Sequence, residues 1–325
     1  MAGPQSAARV PADGVRPTPL LVRLPNWVGD VCMAVPSLCA LERSGFEIVA
    51  AGRGWAADLL AGHGWRVVRL PAGTRAAARA LRDAEAPRRA VLLTNSIGSA
   101  LALRLAGISA LGHRNEGRTV LLGRGVARES GRHEVEVFWR LAAHAAAWLG
   151  GAPLPASPPA SIGLRLADAH RVAARDALAR AGLREGTRYA VVAPLATGTI
   201  DGASKAWTGF DALERALRAH GLATVCCPGP GEEAAARAAT PGATPLAGLG
   251  LGAYAAVCAG AVVTVANDSG PMHLAASVDA PVIGVFGPGD PRRTRPWGAR
   301  ARWLGGDGAW PDVKAVDAAV RAVVG

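Results

Sequence analysis

Short apolar runs alternate with amphipathic segments rich in Ala, Arg and Leu along almost all of the 325 residues. In the first half, five apolar runs predict strands at 19–24, 46–52, 65–70, 90–95 and 108–113. Amphipathic patterns predict helices at 30–43, 55–62, 74–86, 98–106 and 133–149. This alternation is typical of parallel sheets covered by helices, so the sequence predicts an α/β fold.

A proline-rich stretch, "GGAPLPASPPAS", interrupts the pattern before the second half repeats it. Strands are predicted there at 189–194, 222–229, 261–266 and 281–287, and helices at 168–182, 208–220, 231–239, 252–259 and 271–278. A chain of this length suits two domains of about 150 residues. We therefore predict a flexible tail (1–18), a first domain (19–150), a linker (151–161), a second domain (162–310) and a C-terminal helix (311–325).

The segment "NDSGPMH" (267–273) joins a buried strand to a helix. Pro271 suits the first turn of a helix, and Gly270, Ser269 or Asp268 could serve as the N-cap. Unpaired backbone N–H groups and the positive end of the helix dipole then make an anion site, with His273 in the first turn. A simple helix cap gives the same local pattern.

Two further loops follow strands of the same predicted sheet, at 195–207 and 287–298. The first contains Lys205, one of only two lysines among the 36 basic residues. A point-charge ammonium suits a phosphate, although a solvated surface lysine is the plain alternative. Three polar loops at one sheet edge predict a pocket for a nucleotide diphosphate.

The first half has a counterpart in "LPNWVGDVCMAVPSL" (24–38), again a strand, a tight loop and a helix. Gly29 permits a close backbone approach, and the helix dipole stabilises the carboxylate of Asp30. A carboxylate facing a cleft could act as a general base, and an ordinary helix cap is the alternative.

Charge is unevenly distributed within a net charge of +11. Residues 1–155 carry 19 arginines against 11 acidic residues, whereas the remainder carries 17 basic residues against 14 acidic ones. An anionic partner explains this excess, and so does an arginine-rich genome. Nucleic acid is not expected, because aromatic residues are few and no recognised motif appears.

Several site classes lack their signatures. No G-x-G-x-x-G follows the first strand, and no Cys/His cluster has metal-ligand spacing, so we expect neither a cofactor nor a metal. The five cysteines have no C-x-x-C spacing and lie mostly in apolar runs, which indicates free thiols in a reducing cytoplasm. No apolar run is long enough for a signal peptide or a membrane span, so any membrane contact is expected to be peripheral.

Three blocks resemble the ADP-heptose:lipopolysaccharide heptosyltransferases of glycosyltransferase family 9, particularly heptosyltransferase II. They are "LVRLPNWVGDVCMAVPSLCAL" (21–41), "RHEVEVFWRLAAHAAAWLG" (132–150) and "VANDSGPMHLAASVDAPVIGVFGPGDPRRTRPWG" (265–298). The resemblance implies a GT-B fold, with two facing Rossmann-like domains that bind the lipid-linked acceptor and the sugar nucleotide respectively. It also implies inverting, metal-independent transfer at the inner face of the cytoplasmic membrane.

Site roles follow from the same resemblance. Asp30 becomes the general base that deprotonates the acceptor hydroxyl. The expected donor-binding residues are Lys205, Asp268, Ser269, Gly270 and His273. Apart from the resemblance, the expected contacts with an anionic lipid-linked saccharide acceptor are Asn26 and Gly29 of the loop before Asp30, His133, and Arg114 and Arg118 of a basic series that could instead be a solvated loop.

The chain departs from the family pattern beside Lys205. It reads "KAWT" (205–208) where family members usually have K-R-W-P, and "APLATG" where they usually have P-G-A after the strand. Another nucleotide sugar, or a protein that binds sugar nucleotides without transfer, is therefore an alternative to an ADP-heptose transferase.

Overall fold

The computed structural model describes residues 17–115 and 117–325, which divide into two compact units. The first unit contains the described residues up to Asn26, together with Pro36–Ser130 and Glu136–Pro158. The second contains Trp27–Val35, Gly131–Val135 and Pro159–Gly325. The boundary between Pro158 and Pro159 falls inside the linker predicted at 151–161. The segments around Asp30 and His133, which the sequence predicts to lie in the first domain, belong to the second unit. Residues 1–16 of the tail predicted at 1–18 lie outside the described residues. Thr18, the last residue of the predicted tail, is the first residue of a strand.

The first unit is built on a six-stranded sheet. Its strands are β1 (Thr18–Arg23), β2 (Phe46–Gly52), β3 (Arg66–Arg69), β4 (Arg89–Leu92), β5 (Ser109–His113) and β6 (Arg124–Val126). The helices are α1 (Val28–Arg43), α2 (Ala56–Leu59), α3 (Thr74–Asp83), α4 (Ile97–Leu105) and α5 (Glu134–Leu149), and α1 and α5 begin in segments of the second unit. Short 3₁₀ turns lie at Ala61–His63 and Thr119–Leu121.

The second unit contains a second six-stranded sheet and a short hairpin. Its strands are β7 (Tyr189–Ala193), β8 (Thr199–Ile200), β9 (Ala203–Ser204), β10 (Ala223–Cys226), β11 (Thr244–Pro245), β12 (Val263–Asn267), β13 (Val282–Phe286) and β14 (Ala301–Gly305). Its helices are α6 (Asp168–Arg180), α7 (Phe210–Ala219), α8 (Glu233–Ala239), α9 (Leu251–Gly260), α10 (Gly270–Ser277), α11 (Pro291–Thr294) and α12 (Val313–Val324). Strands β8 and β9 form the antiparallel hairpin.

Both large sheets are wholly parallel and share one topology. The orders are β3-β2-β1-β4-β5-β6 and β11-β10-β7-β12-β13-β14, which are equivalent when each sheet is numbered from its first strand. This is the Rossmann order, in which the chain switches direction beside the first strand and ligands bind at the carboxyl ends of the strands. The prediction of an α/β fold with two Rossmann-like parallel sheets is confirmed.

The central strands are apolar on both faces because helices cover both sides of each sheet. Leu20, Leu21 and Val22 of β1 have no exposed surface, and all five residues of β12 are buried. Such continuous apolar runs are the reason that the sequence predicts these strands well.

The strands that the sequence pattern does not predict are β6, β8, β9, β11 and β14. They are short or polar, and β14 exposes Arg302 and Trp303 at the edge of its sheet. The strand predicted at 222–229 ends at Cys226. Pro228, just beyond it, has no N–H to donate to a sheet.

The C-terminal helix packs onto the second unit. Val316 and Val320 of α12 are buried in one apolar cluster with Leu213 and Leu217 of α7. The segment predicted as a separate helix at 311–325 is therefore part of the core of this unit.

Two further features concern the described ranges as a whole. All five cysteines are free thiols. Among residues 17–115 and 117–325, no helix combines the length and the apolar character needed to cross a membrane.

Candidate active site

The carboxyl end of β12 opens directly into α10 within the second unit. Ser269 is the N-cap residue, with extended backbone, and Pro271 lies in the first turn of the helix. The Ser269 side chain does not cap the first turn, because its hydroxyl donates instead to the Asn267 carbonyl oxygen at 3.2 Å. The sequence predicts that the N–H groups of this helix end bind an anion, and the Ser269 side chain does not occupy them.

Asn267 joins three chain segments just before that helix. Its side chain is fully buried, Oδ1 accepts from the backbone N–H of Trp207 at 3.0 Å, and Nδ2 donates to the Pro194 carbonyl at 2.7 Å. Asn267 therefore positions the loop after β7, and the start of the segment leading into α7, against β12. Sequence reasoning did not assign it a role, although its polar side chain at the end of a buried strand was the available signal.

Lys205 and Asp268 form an ion pair at this edge of the sheet. Lys205 Nζ lies 2.9 Å from Asp268 Oδ2, with 20% and 9% of the two side chains exposed. The Thr294 hydroxyl donates to the other Asp268 oxygen at 3.3 Å. All three predicted loops, at 195–207, 267–273 and 287–298, therefore meet at one carboxylate.

Gly289 allows this close packing. A Cβ atom at this position would lie 2.6 Å from Asp268 Oδ2, closer than real contacts permit. Any larger residue at 289 would push the loop or the carboxylate away.

His273 is buried in the first turns of α10, with 4% of its surface exposed. Its Nδ1 atom has no hydrogen-bond partner among the described residues. Burial lowers the pKa of His273 to about 4, with smaller contributions from the neighbouring charges of His133 and Lys205, while Asp268 opposes the shift. The imidazole is consequently neutral near pH 7.

The segment carrying Asp30 packs against α10 in the same unit. A Cβ atom on Gly29 would lie 2.6 Å from His273 Cδ2, and one on Gly270 would lie 3.4 Å from Val28 Cβ. Asp30, which is half-buried, lies in the first turn of α1. The structure thus brings the first turns of α1 and α10 together, and with them Gly29 and His273.

The segment Gly131–Val135 is anchored to the 287–298 loop. His133 Nε2 lies 2.8 Å from the Arg295 carbonyl oxygen, and His133 Nδ1 accepts from the Val135 N–H at 3.2 Å. The His133 proton is therefore on Nε2, which donates to Arg295. An ion pair of 2.7 Å between Glu134 and Arg293 adds a second tie.

The other expected acceptor residues lie in the first unit. Asn26 accepts a hydrogen bond from Arg23 at 2.8 Å, and Arg114, which is exposed, donates to the Gly125 carbonyl at 3.0 Å. Arg118 has no exposed surface and donates to the carbonyl oxygens of Thr94 and His113. This burial gives Arg118 a structural role at the ends of β4 and β5 and argues against direct contact with an acceptor.

A small cavity of about 40 Å³ lies between the carboxyl ends of β7 and β10 and Pro271 of α10. Its walls include Leu195, Cys227, Glu232 and Tyr254. Glu232 is held there because it accepts from the Gly229 N–H at 2.9 Å. Cys227, Glu232 and Tyr254 lie outside the three predicted loops, and no sequence motif marks them.

No group of three or more His, Cys, Asp or Glu side chains suited to a metal ion occurs in the part of the chain that the structure describes. Lys205 and the start of α10 both place positive charge at the site.

Solved structures share this architecture. E. coli ADP-heptose lps heptosyltransferase II is 23% identical, with a TM-score of 0.74 and coverage of 94% of this chain and 98% of that one. E. coli heptosyltransferase WaaC with ADP is 22% identical, with a TM-score of 0.72 and coverage of 94% and 100%. A glycosyl transferase family 9 protein from Veillonella parvula DSM 2008 is 16% identical, with a TM-score of 0.74 and coverage of 89% and 86%. At these identities the likeness establishes the fold, which is GT-B.

No curated protein matches the chain. Family membership is decided by the family model for glycosyltransferase family 9 (heptosyltransferase), which matches residues 74–320, including Lys205 and the whole 265–298 block. Because this match covers most of the chain, the protein belongs to glycosyltransferase family 9, the heptosyltransferase family, and is a glycosyltransferase.

Proposed function

We propose that this glycosyltransferase moves a heptose from ADP-heptose to an anionic, lipid-linked acceptor of the lipopolysaccharide inner core. The observation that carries the proposal is the meeting of Lys205, Asp268 and the uncapped end of α10 in a chain of the heptosyltransferase family. The similar E. coli heptosyltransferase WaaC was solved with ADP, which supports a nucleotide-diphosphate donor.

The donor diphosphate is assigned to the start of α10. Backbone N–H groups of Gly270 and of the residues after Pro271, together with the helix dipole, stabilise negative charge there. Lys205 adds a point charge, and Asp268 orients its ammonium. His273, whose ring is neutral near pH 7 and whose Nδ1 has no hydrogen-bond partner among the described residues, lies in the same helix end. These groups stabilise the ADP leaving group as its bond to the sugar breaks.

Asp30 is assigned the role of general base. Its carboxylate takes the proton of the acceptor hydroxyl, whose oxygen attacks the anomeric carbon of the sugar. The bond from that carbon to the diphosphate breaks, and ADP leaves with the electron pair. A single displacement of this kind inverts the configuration, and it needs no metal where helix N–H groups and a lysine stabilise the diphosphate.

Acceptor contacts are assigned to Asn26, Gly29 and Arg114, with His133 holding the 287–298 loop. The net charge of +11 suits an anionic acceptor and a peripheral position at the inner face of the cytoplasmic membrane.

The decisive experiment incubates the purified protein with ADP-heptose and a heptose-acceptor lipid and measures product. We expect transfer, and we expect Asp30→Ala and Asp30→Asn to reduce it by about 10² to 10⁴ while leaving the Kd for ADP nearly unchanged. Turnover of the Asp30 variants at the wild-type rate would refute the base assignment.

A second candidate function is favoured by Ala206, which stands where family members usually carry an arginine beside the lysine. The chain would then use a different nucleotide sugar, or bind one without transfer. Thermal-shift measurements across nucleotide sugars separate these cases, because a ligand that binds only the folded state raises Tm. Binding of ADP-heptose without any product identifies the non-catalytic alternative.

A further inference from the structure

A polar crevice lies within the first unit, at the carboxyl ends of β1, β2, β3 and β4. It encloses about 320 Å³, in the range of pockets that hold small molecules. The chain changes direction in the sheet beside β1, where Rossmann-like folds bind their ligands. The polar side chains that line it are Arg23, Asn26, Arg53, Thr74, Ser96 and Ser99.

The crevice carries positive charge that no carboxylate offsets. Its lining contains two arginines and no Asp or Glu, and neither arginine forms an ion pair with any described carboxylate. The recorded partners of Arg23 are neutral oxygens, the Leu24 carbonyl and the Asn26 amide. Burial, together with the nearby charge of Arg53, lowers the pKa of Arg23 to about 10. An anion between the two guanidinium groups would remove this repulsion.

Two helices also begin at the crevice. Helix α3 starts at Thr74 after Gly73, and no side chain caps it. Helix α4 starts at Ile97, and the Ser96 hydroxyl accepts from the Ser99 N–H at 3.3 Å. The positive end of the α3 dipole therefore adds to the field of the two arginines, and the serine and threonine hydroxyls supply neutral donors.

The space continues into a more open groove of about 670 Å³ that shares Arg53, Leu70, Pro71 and Ala72 with the crevice. This groove adds Trp55 and Arg69. A Cβ atom on Gly54 would lie 3.0 Å from Arg69 Nε, so the arginine rests on the backbone of the loop. An indole beside a polar crevice suits a sugar ring, which is apolar on one face and polar at its edges.

We infer that the crevice between Arg23 and Arg53 binds the phosphoryl group of a phosphorylated saccharide, whose sugar ring extends toward Trp55. Two guanidinium groups and an open helix end favour a dianionic phosphate monoester over a single carboxylate, and guanidinium groups match phosphate oxygens bidentately. The inference rests on the proposed function, since it gives the anionic saccharide acceptor a defined seat in the first unit.

The test titrates full-length protein with glucose 6-phosphate by calorimetry, beside glucose, glucuronate and inorganic phosphate. We expect glucose 6-phosphate to bind more tightly than the other three, with an affinity that falls as salt rises. Equal binding of inorganic phosphate would show that the saccharide is not recognised, and equal binding of glucuronate would overturn the assignment to phosphate.

The variants are Arg53→Ala and Arg23→Gln, with Arg43→Ala as the matched control. Arg53 and Arg43 are both exposed arginines of the first unit, and Arg43 lies in the last turn of α1, away from the crevice lining. We expect Arg53→Ala and Arg23→Gln to weaken glucose 6-phosphate binding at least tenfold and Arg43→Ala to leave it unchanged. Arg53→Ala with wild-type binding and an unchanged Tm would refute the site.

The ADP affinity and the transfer rate of the same variants separate this inference from the proposed function. If wild-type protein binds glucose 6-phosphate through Arg53 but transfers no heptose, the crevice stands and the proposed function fails. If heptose transfer proceeds but Arg53→Ala changes neither binding nor transfer, the proposed function stands and the crevice assignment fails.

Discussion

At the scale of single residues, close approaches at the candidate active site depend on the absence of side chains. Gly29 and Gly289 each lie where a Cβ atom would come within 2.6 Å of a side-chain atom of His273 or Asp268. Gly270, on the facing helix end, has room, since its nearest contact would be 3.4 Å. Sequence reasoning assigns Gly29 to the tight loop, but it cannot show which glycine is sterically required, because that depends on residues far apart in the chain.

The steric argument predicts opposite outcomes for two glycines. Gly29→Ala should destabilise the protein by about 1–3 kcal/mol, because the new methyl group overlaps the buried ring of His273, and should slow transfer by displacing Asp30. Gly270→Ala should change the free energy of unfolding by less than about 0.5 kcal/mol. Urea denaturation compares the two, and equal stability of Gly29→Ala and wild type would contradict the packing described here.

Lys205 and Lys314 form a natural matched pair, because they are the only lysines in the chain. Lys205→Ala should weaken ADP binding by about 10- to 100-fold, since a charged hydrogen bond to the diphosphate is lost. Lys314, exposed on α12, should tolerate alanine without effect. Calorimetric titration with ADP measures both, and equal affinities would remove Lys205 from the donor site.

His273 should make stability depend on pH in a defined window. Its pKa falls from 6.5 in the unfolded chain to about 4 in the folded protein, so the unfolded state binds more protons between these values. The neutral ring contributes fully above about pH 6.5, and about 3 kcal/mol is lost as pH falls toward 4. The charge of Asp268 opposes this lowering of the pKa, and those of His133 and Lys205 add to it.

The measurement is the free energy of unfolding between pH 4 and 7 for wild type and His273→Gln. Taking the difference between the two proteins cancels the titration of carboxylates that both retain. We expect wild type to lose stability more steeply than the variant as pH falls. Parallel curves would show that His273 is not held neutral by burial.

At the scale of elements, the sequence predicts the buried central strands and the helix starts well and the sheet edges poorly. Strands β1, β7 and β12 are largely apolar runs, whereas β14 and β6 are edge strands that carry exposed arginines and pair with a neighbour on one side only. The helix start after β12 is predicted from Ser269–Pro271 alone. The role of Asn267 is not, because its partners lie 60 and 73 residues away.

Asn267 should matter for both elements that it joins. Asn267→Ala leaves the Trp207 N–H and the Pro194 carbonyl without their partner, which should cost about 2–4 kcal/mol and loosen the 195–207 loop. ADP affinity should fall with it, because Lys205 lies in that loop. Asn95→Ala is the control, since Asn95 is an exposed asparagine of the first unit. If Asn267→Ala left both Tm and the affinity for ADP unchanged, Asn267 would not have this positioning role.

At the scale of the whole molecule, one topology occurs twice with different chemistry. Each sheet presents loops at the carboxyl ends of its strands, as its strand order dictates. In the second unit that edge combines Lys205 with the end of α10, and in the first unit it carries Arg23 and Arg53. The alternation of apolar runs predicts both sheets, but it does not predict which arginines are buried. Arg118, for example, has no exposed surface.

The charge of the whole chain predicts binding to anionic membranes. Residues 1–155 hold about three quarters of the excess of +11, and no helix in the described residues can anchor the protein by spanning a bilayer. Attachment by charge alone should therefore weaken when salt shortens the Debye length from about 10 Å at 0.1 M to about 3 Å at 1 M.

Cosedimentation with lipid vesicles tests this electrostatic attachment. We expect the protein to pellet at low salt with vesicles that contain roughly one third phosphatidylglycerol, because each basic residue near an anionic surface contributes about 1 kcal/mol. It should be released at 1 M NaCl, and it should not pellet with pure phosphatidylcholine vesicles. Binding that persists at 1 M NaCl would point to an apolar insertion instead. Equal binding to both vesicle types would show that membrane attachment does not depend on the excess of basic residues.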